Sequence, residues 1–133
     1  MHYAYIAATL LALAPNLAMS ETYEVKMLNR GETGSMVYEP DFLPLQPGDT
    51  VRFIATHPSH NAASIPEIWP DGAAQVKGQI NEELEVTFEA PGFYGIKCSP
   101  HYTMGMVMLI QVGEGEPGAI SIPASLPDMA RDR

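Results

Sequence analysis

The residues best suited to chemistry in this sequence lie close together near its C-terminal end. Cys98 is the only cysteine of the chain, His101 follows it after three positions, and Met106 follows after five more. A thiolate, an imidazole and a thioether are soft ligands, and such a set suits copper better than calcium, magnesium or a purely structural zinc. Met104 is a second candidate for the thioether, because a gap of two residues after the histidine is also geometrically possible.

A second imidazole must come from a distant part of the chain to complete a site of two histidines, one cysteine and one methionine. His2 lies in a segment interpreted below as a signal peptide, which leaves His57 and His60. His60 is favoured because the amide of the following Asn61 could bridge its loop to the ligand loop, whereas His57 precedes Pro58 at a predicted strand end. This set predicts one copper ion that cycles between Cu(I) and Cu(II).

The N-terminal segment predicts export. Residues 4–14 form an apolar run of signal-peptide length that is too short to span a bilayer as a helix. Small residues precede a predicted cleavage before Glu21, although the preceding segment contains no lysine or arginine. We therefore predict a signal peptide at 1–20, a single domain at 21–133 with a tail rich in proline and glycine at 114–133, and a periplasmic location.

Charge and cysteine content exclude several classes of function. The chain has 16 acidic and 7 basic residues and a net charge of −9, which argues against nucleic acid and anionic membrane surfaces as partners. An unpaired cysteine in an exported protein needs an explanation, and a metal thiolate supplies one. An enzyme with Cys98 as nucleophile would also need an oxyanion site, and no glycine-rich loop for one is evident. We therefore predict a carrier without catalytic activity.

The rest of the chain predicts an all-β fold. Short apolar segments separated by Gly, Pro and Asn recur about every ten residues, which is typical of a β-sandwich. The tail is expected to be irregular or weakly helical, with a possible helix at 128–131, and Pro66 could open a short helical turn that ends before Pro70. The predicted strands are 23–28, 36–38, 42–45, 50–55, 84–88, 93–98 and 106–112.

Several motifs resemble the pseudoazurins, a family of small periplasmic cupredoxins. The resemblance covers nearly all of 21–113 and is most specific in the segment from Cys98 to Met106. The motifs that carry it are Met27-Leu28-Asn29, Met36-Val37-Tyr38-Glu39-Pro40, Pro47-Gly48-Asp49-Thr50-Val51, His60-Asn61, Ile80-Asn81-Glu82, Pro91-Gly92-Phe93-Tyr94, Cys98-Ser99-Pro100-His101-Tyr102 and Met104-Gly105-Met106.

This resemblance implies a fold and a site. The fold would be a Greek-key sandwich of about eight strands, cupredoxin-like and monomeric. Type 1 copper would be bound by His60, Cys98, His101 and Met106. Around it, Asn29 and Asn61 would form hydrogen bonds that tune the sulfur of Cys98, Met36 would lie against the ring of His101, and electrons would pass through the edge of His101 inside an apolar collar that includes Pro100 and Met104.

The function implied by the resemblance is a one-electron carrier between redox proteins, such as a cytochrome c and a copper nitrite reductase or another reductase. Two features depart from the family pattern. The tail is short, and only Lys26, Lys77 and Lys97 could contribute to the ring of lysines that usually docks an acidic reductase. A periplasmic copper chaperone or storage protein is the alternative, since the chain has 8 methionines.

Overall fold

The computed structural model describes residues 20–114 and 122–132, so all but the last residue of the predicted signal peptide, and part of the tail, lie outside the described residues. The described chain forms eight strands, a short helix and a 3₁₀ turn at Tyr102–Met104. The elements are β1 (Thr22–Gly31), β2 (Gly34–Glu39), β3 (Phe42–Leu45), β4 (Asp49–Ile54), β5 (Ala63–Ser64), β6 (Leu84–Phe88), β7 (Gly92–Lys97), β8 (Val107–Val112) and α1 (Asp128–Arg131).

The strands form two four-stranded sheets, in the orders β2-β1-β4-β6 and β3-β8-β7-β5. Each sheet is mixed: β1 pairs in parallel with β4, and β3 with β8, while the other neighbouring strands are antiparallel. This architecture confirms the predicted all-β sandwich. It places the end of β7, the start of β8 and the chain after β4 at one end of the molecule, where they meet in the site described below.

Alternating side chains build the core between the sheets, as the sequence predicts. In β1, Val25 and Met27 are fully buried, whereas Glu24 and Lys26 point to solvent. Other strands also direct alternate apolar side chains into the core, because successive side chains of a strand point to opposite faces of its sheet. The buried core residues are Val25, Met27, Tyr38, Leu43, Leu45, Val51, Phe53, Ala62, Phe88, Tyr94, Ile96, Cys98, Met106, Met108, Ile110 and Val112.

Strand β8 is central in its sheet and covered on both faces, as its nearly continuous apolar sequence predicts. Met108, Ile110 and Val112 face the main core. On the other face, Val107 packs in a second apolar cluster with two residues of the C-terminal segment, so the tail shields the outer side of this sheet. The members of that cluster are Ile65, Ile68, Val107, Leu126 and Ala130.

Two local expectations need correction. The segment after Pro66 forms a turn and not the predicted short helix. Its backbone groups pair with Gly95 of β7 instead. The N–H of Gly95 donates to the carbonyl of Ile68 at 2.7 Å, and the carbonyl of Gly95 accepts from the N–H of Ile65 at 2.8 Å. Strand β5 was not expected, since two residues carry no periodic signal. The predicted helix at Asp128–Arg131 is confirmed.

Candidate metal centre

Cys98 follows the last residue of β7 and is completely buried at the end of the main core. Its backbone N–H donates to the carbonyl of Met106 at 3.0 Å, so the cysteine and the methionine that begin and end the ligand loop are joined at its base. The loop between them turns at Gly105, whose φ of 86° is left-handed. Glycine suits this position because a side chain would be strained there.

Three of the predicted ligands come together at this point. The ligand atoms of His60, Cys98 and His101 all lie within 4.8 Å of one another, and no other group of this kind occurs among the described residues. The sulfur of Cys98 is 3.7 Å from Nδ1 of His60 and 3.4 Å from Nδ1 of His101. Each ring therefore directs the same nitrogen at the thiol.

These distances fit a shared metal ion. Metal–sulfur bonds of about 2.3 Å and metal–nitrogen bonds of about 2.0 Å place two ligand atoms of one ion roughly 3.5 to 3.8 Å apart. The observed sulfur–nitrogen separations are 3.7 Å, inside this range, and 3.4 Å, just below it. A soft thiolate with two imidazoles is a donor set that copper prefers, so the residues present fit the predicted cofactor.

His60 is oriented by Asn29, a residue of β1. The Nε2 atom of the ring lies 2.6 Å from the side-chain oxygen of Asn29. Because that oxygen is an acceptor, Nε2 carries the hydrogen and Nδ1 keeps a free lone pair on the side of Cys98. Burial, followed by the neighbouring His101 and His57, lowers the pKa of His60, so the neutral form that a metal needs is favoured.

Asn61 joins the two loops that carry the ligands. Its side-chain oxygen accepts from the N–H of Ser99 at 2.7 Å, and its side-chain nitrogen donates to Ser99 Oγ at 3.1 Å and to the carbonyl of Gly78 at 3.0 Å. The buried hydroxyl of Tyr38 donates to the backbone carbonyl of Asn61 at 2.6 Å. These bonds join residues far apart in the sequence, and they hold the His60 loop against the Cys98 loop.

Burial and hydrogen bonding have opposite effects on the pKa of the Cys98 thiol. Burial raises its pKa, while backbone hydrogen bonds from Asn61 and His101 lower it. A cation at the site would stabilise the thiolate further. Nearby, burial and then the charge of Cys98 raise the pKa of Tyr38 well above its ordinary value, so its hydroxyl remains a donor to Asn61.

The remaining predicted residues take different positions. Met106 is fully buried in the core cluster that contains Cys98, whereas Met104 is 43% exposed. Met36 is half-buried against the main core and has a left-handed φ of 53°, and Pro100 is exposed beside His101. His57 lies outside the ligand cluster, and its ring instead accepts a hydrogen bond from the backbone of Asn29.

Sequence reasoning missed two residues near this site. Tyr38 supports Asn61 from β2, and although it lies in one of the motifs quoted above, no hydrogen-bonding role was assigned to it. His57 was considered only as a ligand, because the contact that defines its role joins positions 28 residues apart. Local patterns carry no signal for such contacts.

Comparison with known proteins agrees with this geometry. Residues 25–113 match the family described as "Copper binding proteins, plastocyanin/azurin family". The pseudoazurin of Paracoccus pantotrophus is 48% identical over 129 residues, which cover 96% of this chain and 88% of that protein. The chain belongs to the pseudoazurins.

Solved pseudoazurins share the fold. The crystal structure from Methylobacterium extorquens AM1 superposes with a TM-score of 0.74 at 41% identity, covering 83% of this chain and 92% of that one. The pseudoazurin structure from Hyphomicrobium denitrificans has a TM-score of 0.67 at 47% identity, covering 70% of this chain and 76% of that one. As a pseudoazurin, the chain is a blue copper electron carrier and not an enzyme, and its cofactor is one copper ion.

Proposed function

We propose that His60, Cys98, His101 and Met106 bind the copper ion of a periplasmic carrier that shuttles single electrons between redox proteins. The observation that supports this ligand set most directly is the convergence of three ligand atoms within 4.8 Å in a largely buried site. When bound, the copper supplies the one-electron cycle between Cu(I) and Cu(II). The protein contributes the position of each ligand and the exclusion of water.

Met106 is proposed as the fourth ligand on the basis of burial. It is fully buried in the core cluster of Cys98, and its backbone carbonyl accepts from Cys98. Met104, in contrast, lies in the 3₁₀ turn with 43% of its surface exposed. Met106 is the better candidate because it shares the buried core cluster with Cys98, whereas Met104 belongs to the surface around His101.

The scaffold suits rapid electron transfer. His60 is held through Asn29, and the two ligand loops are held together through Asn61. Ligands fixed by their surroundings move little when the charge of the site changes, and a site that needs little rearrangement has a lower barrier to transfer. The buried position of His60 and Cys98 also opposes the rapid metal exchange that a copper chaperone or store requires.

Electrons are proposed to enter and leave through His101. It is the one member of the three-ligand cluster that is only half-buried, whereas His60 and Cys98 have no exposed surface. Exposed Pro100 and Met104 lie beside it in the same loop. An apolar surface around a single exposed ligand edge lets a partner approach closely without desolvating charged groups.

Partner choice follows from charge. The net charge of −9 and the small number of lysines favour a cationic donor or acceptor, such as a basic cytochrome c, over an acidic copper nitrite reductase. The transfer rate with a cationic partner should fall as salt rises, because salt screens attraction between exposed charges. A stopped-flow salt series against both partner types measures this; a rate that rises with salt for the cytochrome would contradict it.

The copper assignment is tested by the Cys98→Ser variant. Oxidised, copper-loaded wild-type protein is expected to be intensely blue, because charge transfer from the thiolate to Cu(II) needs Cys98. The variant should lose that band while folding normally, since serine is nearly isosteric. A variant that stays blue would refute the assignment. Rapid loss of copper from the wild type to a modest chelator would favour a chaperone or store instead.

The location is tested by fractionation. Among the described residues, no helix is long and apolar enough to cross a membrane. The periplasmic assignment therefore depends on the predicted signal peptide at 1–20, with cleavage before Glu21. We expect the protein from a periplasmic extract to begin at Glu21 by mass spectrometry, and full-length protein confined to the cytoplasm would contradict this.

A further inference from the structure

His57 is half-buried and tied to β1 at two points. Its backbone N–H donates to the carbonyl of Met27 at 3.1 Å. Its ring Nδ1 lies 2.8 Å from the backbone N–H of Asn29. Because a backbone N–H can only donate, Nδ1 of His57 is the acceptor. The ring therefore holds the backbone of the residue whose side chain orients His60.

The sheet itself does not hold Asn29 at this point. The pairing of β1 with β4 ends at Lys26, and its pairing with β2 passes from Leu28↔Val37 to Arg30↔Ser35 without joining Asn29 to Met36. Met36 has a φ of 53°, which is incompatible with a regular extended ladder. The N–H of Asn29 thus donates its hydrogen bond to the His57 ring and not to a neighbouring strand.

The two hydrogen bonds form a continuous chain from His57 through Asn29 to His60. The backbone N–H of Asn29 donates to Nδ1 of His57, and the side-chain oxygen of Asn29 accepts from Nε2 of His60 at 2.6 Å. Groups that hydrogen-bond the distal nitrogen of a metal-binding histidine set its tautomer, its orientation and its basicity. In this chain the partner of that distal nitrogen is itself located by a second histidine.

We propose that His57 is a positioning residue for the copper ligand His60, acting through Asn29. Without the His57 acceptor, the backbone of Asn29 gains freedom at the break in the ladder, and the hydrogen bond to His60 weakens. The copper part of this inference rests on the proposed function. The hydrogen-bond chain itself does not, because it exists in the metal-free protein.

The decisive pair of variants is His57→Leu and His57→Asn in the full chain. Leucine has a similar bulk but no acceptor. Asparagine places its side-chain oxygen at the same number of bonds from the backbone as Nδ1 of histidine, so it can restore the bond. Thr56→Val is the matched control, since Thr56 is exposed in the same loop and its side chain is in no hydrogen bond described above.

The first readout uses metal-free protein. We expect the Asn29 amide to exchange about tenfold faster in His57→Leu than in wild type, while amides of the core strands, such as Val25 and Phe53, stay unchanged. Nitrogen NMR of the His60 ring should show the Nε2–H tautomer becoming less dominant. His57→Asn and Thr56→Val should behave like the wild type.

The second readout uses copper-loaded protein. When the hydrogen bond from Nε2 to Asn29 is weaker, His60 is a less basic ligand and stabilises Cu(II) less. The reduction potential of His57→Leu should therefore be higher than that of the wild type. The potential of His57→Asn should lie close to that of the wild type. In an Asn29→Ala background, His57→Leu should have no additional effect on the reduction potential, because the hydrogen bond between residue 29 and His60 is already lost.

Three results would overturn the proposed role of His57, and a fourth would refute only the proposed function. Equal behaviour of His57→Leu and wild type in both readouts would overturn the proposal, as would equal impairment of His57→Leu and His57→Asn, which would show that the ring acts by packing. Faster Asn29 exchange with an unchanged potential would overturn the link to His60. Failure of every variant and the wild type to bind copper would refute the proposed function while leaving the metal-free test intact.

Discussion

The two halves of the metal centre are held by different forces. On one side, the His60 loop is fixed by directional hydrogen bonds that run through Asn29 and Asn61. On the other side, the loop that ends at Met106 is backed by packing. A Cβ on Gly105 would lie 2.9 Å from the backbone oxygen of Met129, so the C-terminal segment touches the ligand loop at its turn.

This packed side continues beyond Gly105. Leu126 and Ala130 join Val107, the first residue of β8, in the second apolar cluster, and Tyr102 of the ligand loop packs against it. Residues on either side of Met106 thus face the C-terminal segment, while Met106 faces the core. Hydrogen bonds set the direction of a ligand and packing sets where its backbone lies, so the two sides should respond differently to substitution.

The largest effect on stability is expected at the packed side, from Gly105→Ala. The added methyl group meets the Met129 backbone and the residue must keep a φ of 86°. Left-handed strain and overpacking each cost about 1–3 kcal/mol, so the free energy of unfolding of metal-free protein should fall by about 3 kcal/mol in urea denaturation.

Gly48→Ala is the matched control for that experiment. Gly48 has a similar φ of 94° but nothing within 4 Å of an added Cβ. Only the strain remains, and it should cost about 1 kcal/mol. Equal losses for the two variants would mean that the C-terminal segment does not press on the ligand loop.

A smaller loss of stability is expected at the hydrogen-bonded side, from Asn61→Ala. The buried amide bonds to Ser99 and Gly78, and its removal leaves the Gly78 carbonyl and the Ser99 N–H without this partner. Such losses cost about 1–3 kcal/mol.

Asn29 is exposed, so Asn29→Ala should lower the free energy of unfolding by less than about 1 kcal/mol in the same denaturation measurement. A larger loss for Asn29→Ala than for Asn61→Ala would contradict this order.

Met106→Gln should change the reduction potential more than the stability. An amide oxygen favours Cu(II) more than a thioether does, so the potential should fall, by about 59 mV for each tenfold change in relative affinity for the two oxidation states. Met104→Gln is the control and should leave the potential unchanged in voltammetry. A shift in Met104→Gln alone would mean that Met104, and not Met106, would be the thioether ligand of the copper.

The smallest effect is expected from Met129→Ala. The side chain of Met129 is 53% exposed, and alanine keeps the backbone and the Cβ that contact Gly105. The free energy of unfolding should therefore change by less than about 0.5 kcal/mol. A loss as large as that of Gly105→Ala would show that the Met129 side chain, and not its backbone, supports the loop.

Local patterns in the sequence determined the ligand chemistry and most of the sandwich. Short apolar segments, some alternating and one nearly continuous, located seven of the eight strands in the described part of the chain. The single cysteine with its neighbours indicated copper, because both features depend on residue types at short spacings. The prediction was wrong about a helical turn after Pro66, where Gly95 of a distant strand provides the competing hydrogen bonds.

Only the tertiary structure decided how the site is supported. It brought His60, which the sequence already favoured over His57, beside Cys98, connected His57 to Asn29, and laid the C-terminal segment on Gly105. Each of these contacts joins positions more than twenty residues apart. Their energy depends on chain segments that meet only after the two sheets have packed, so no window of neighbouring residues contains it.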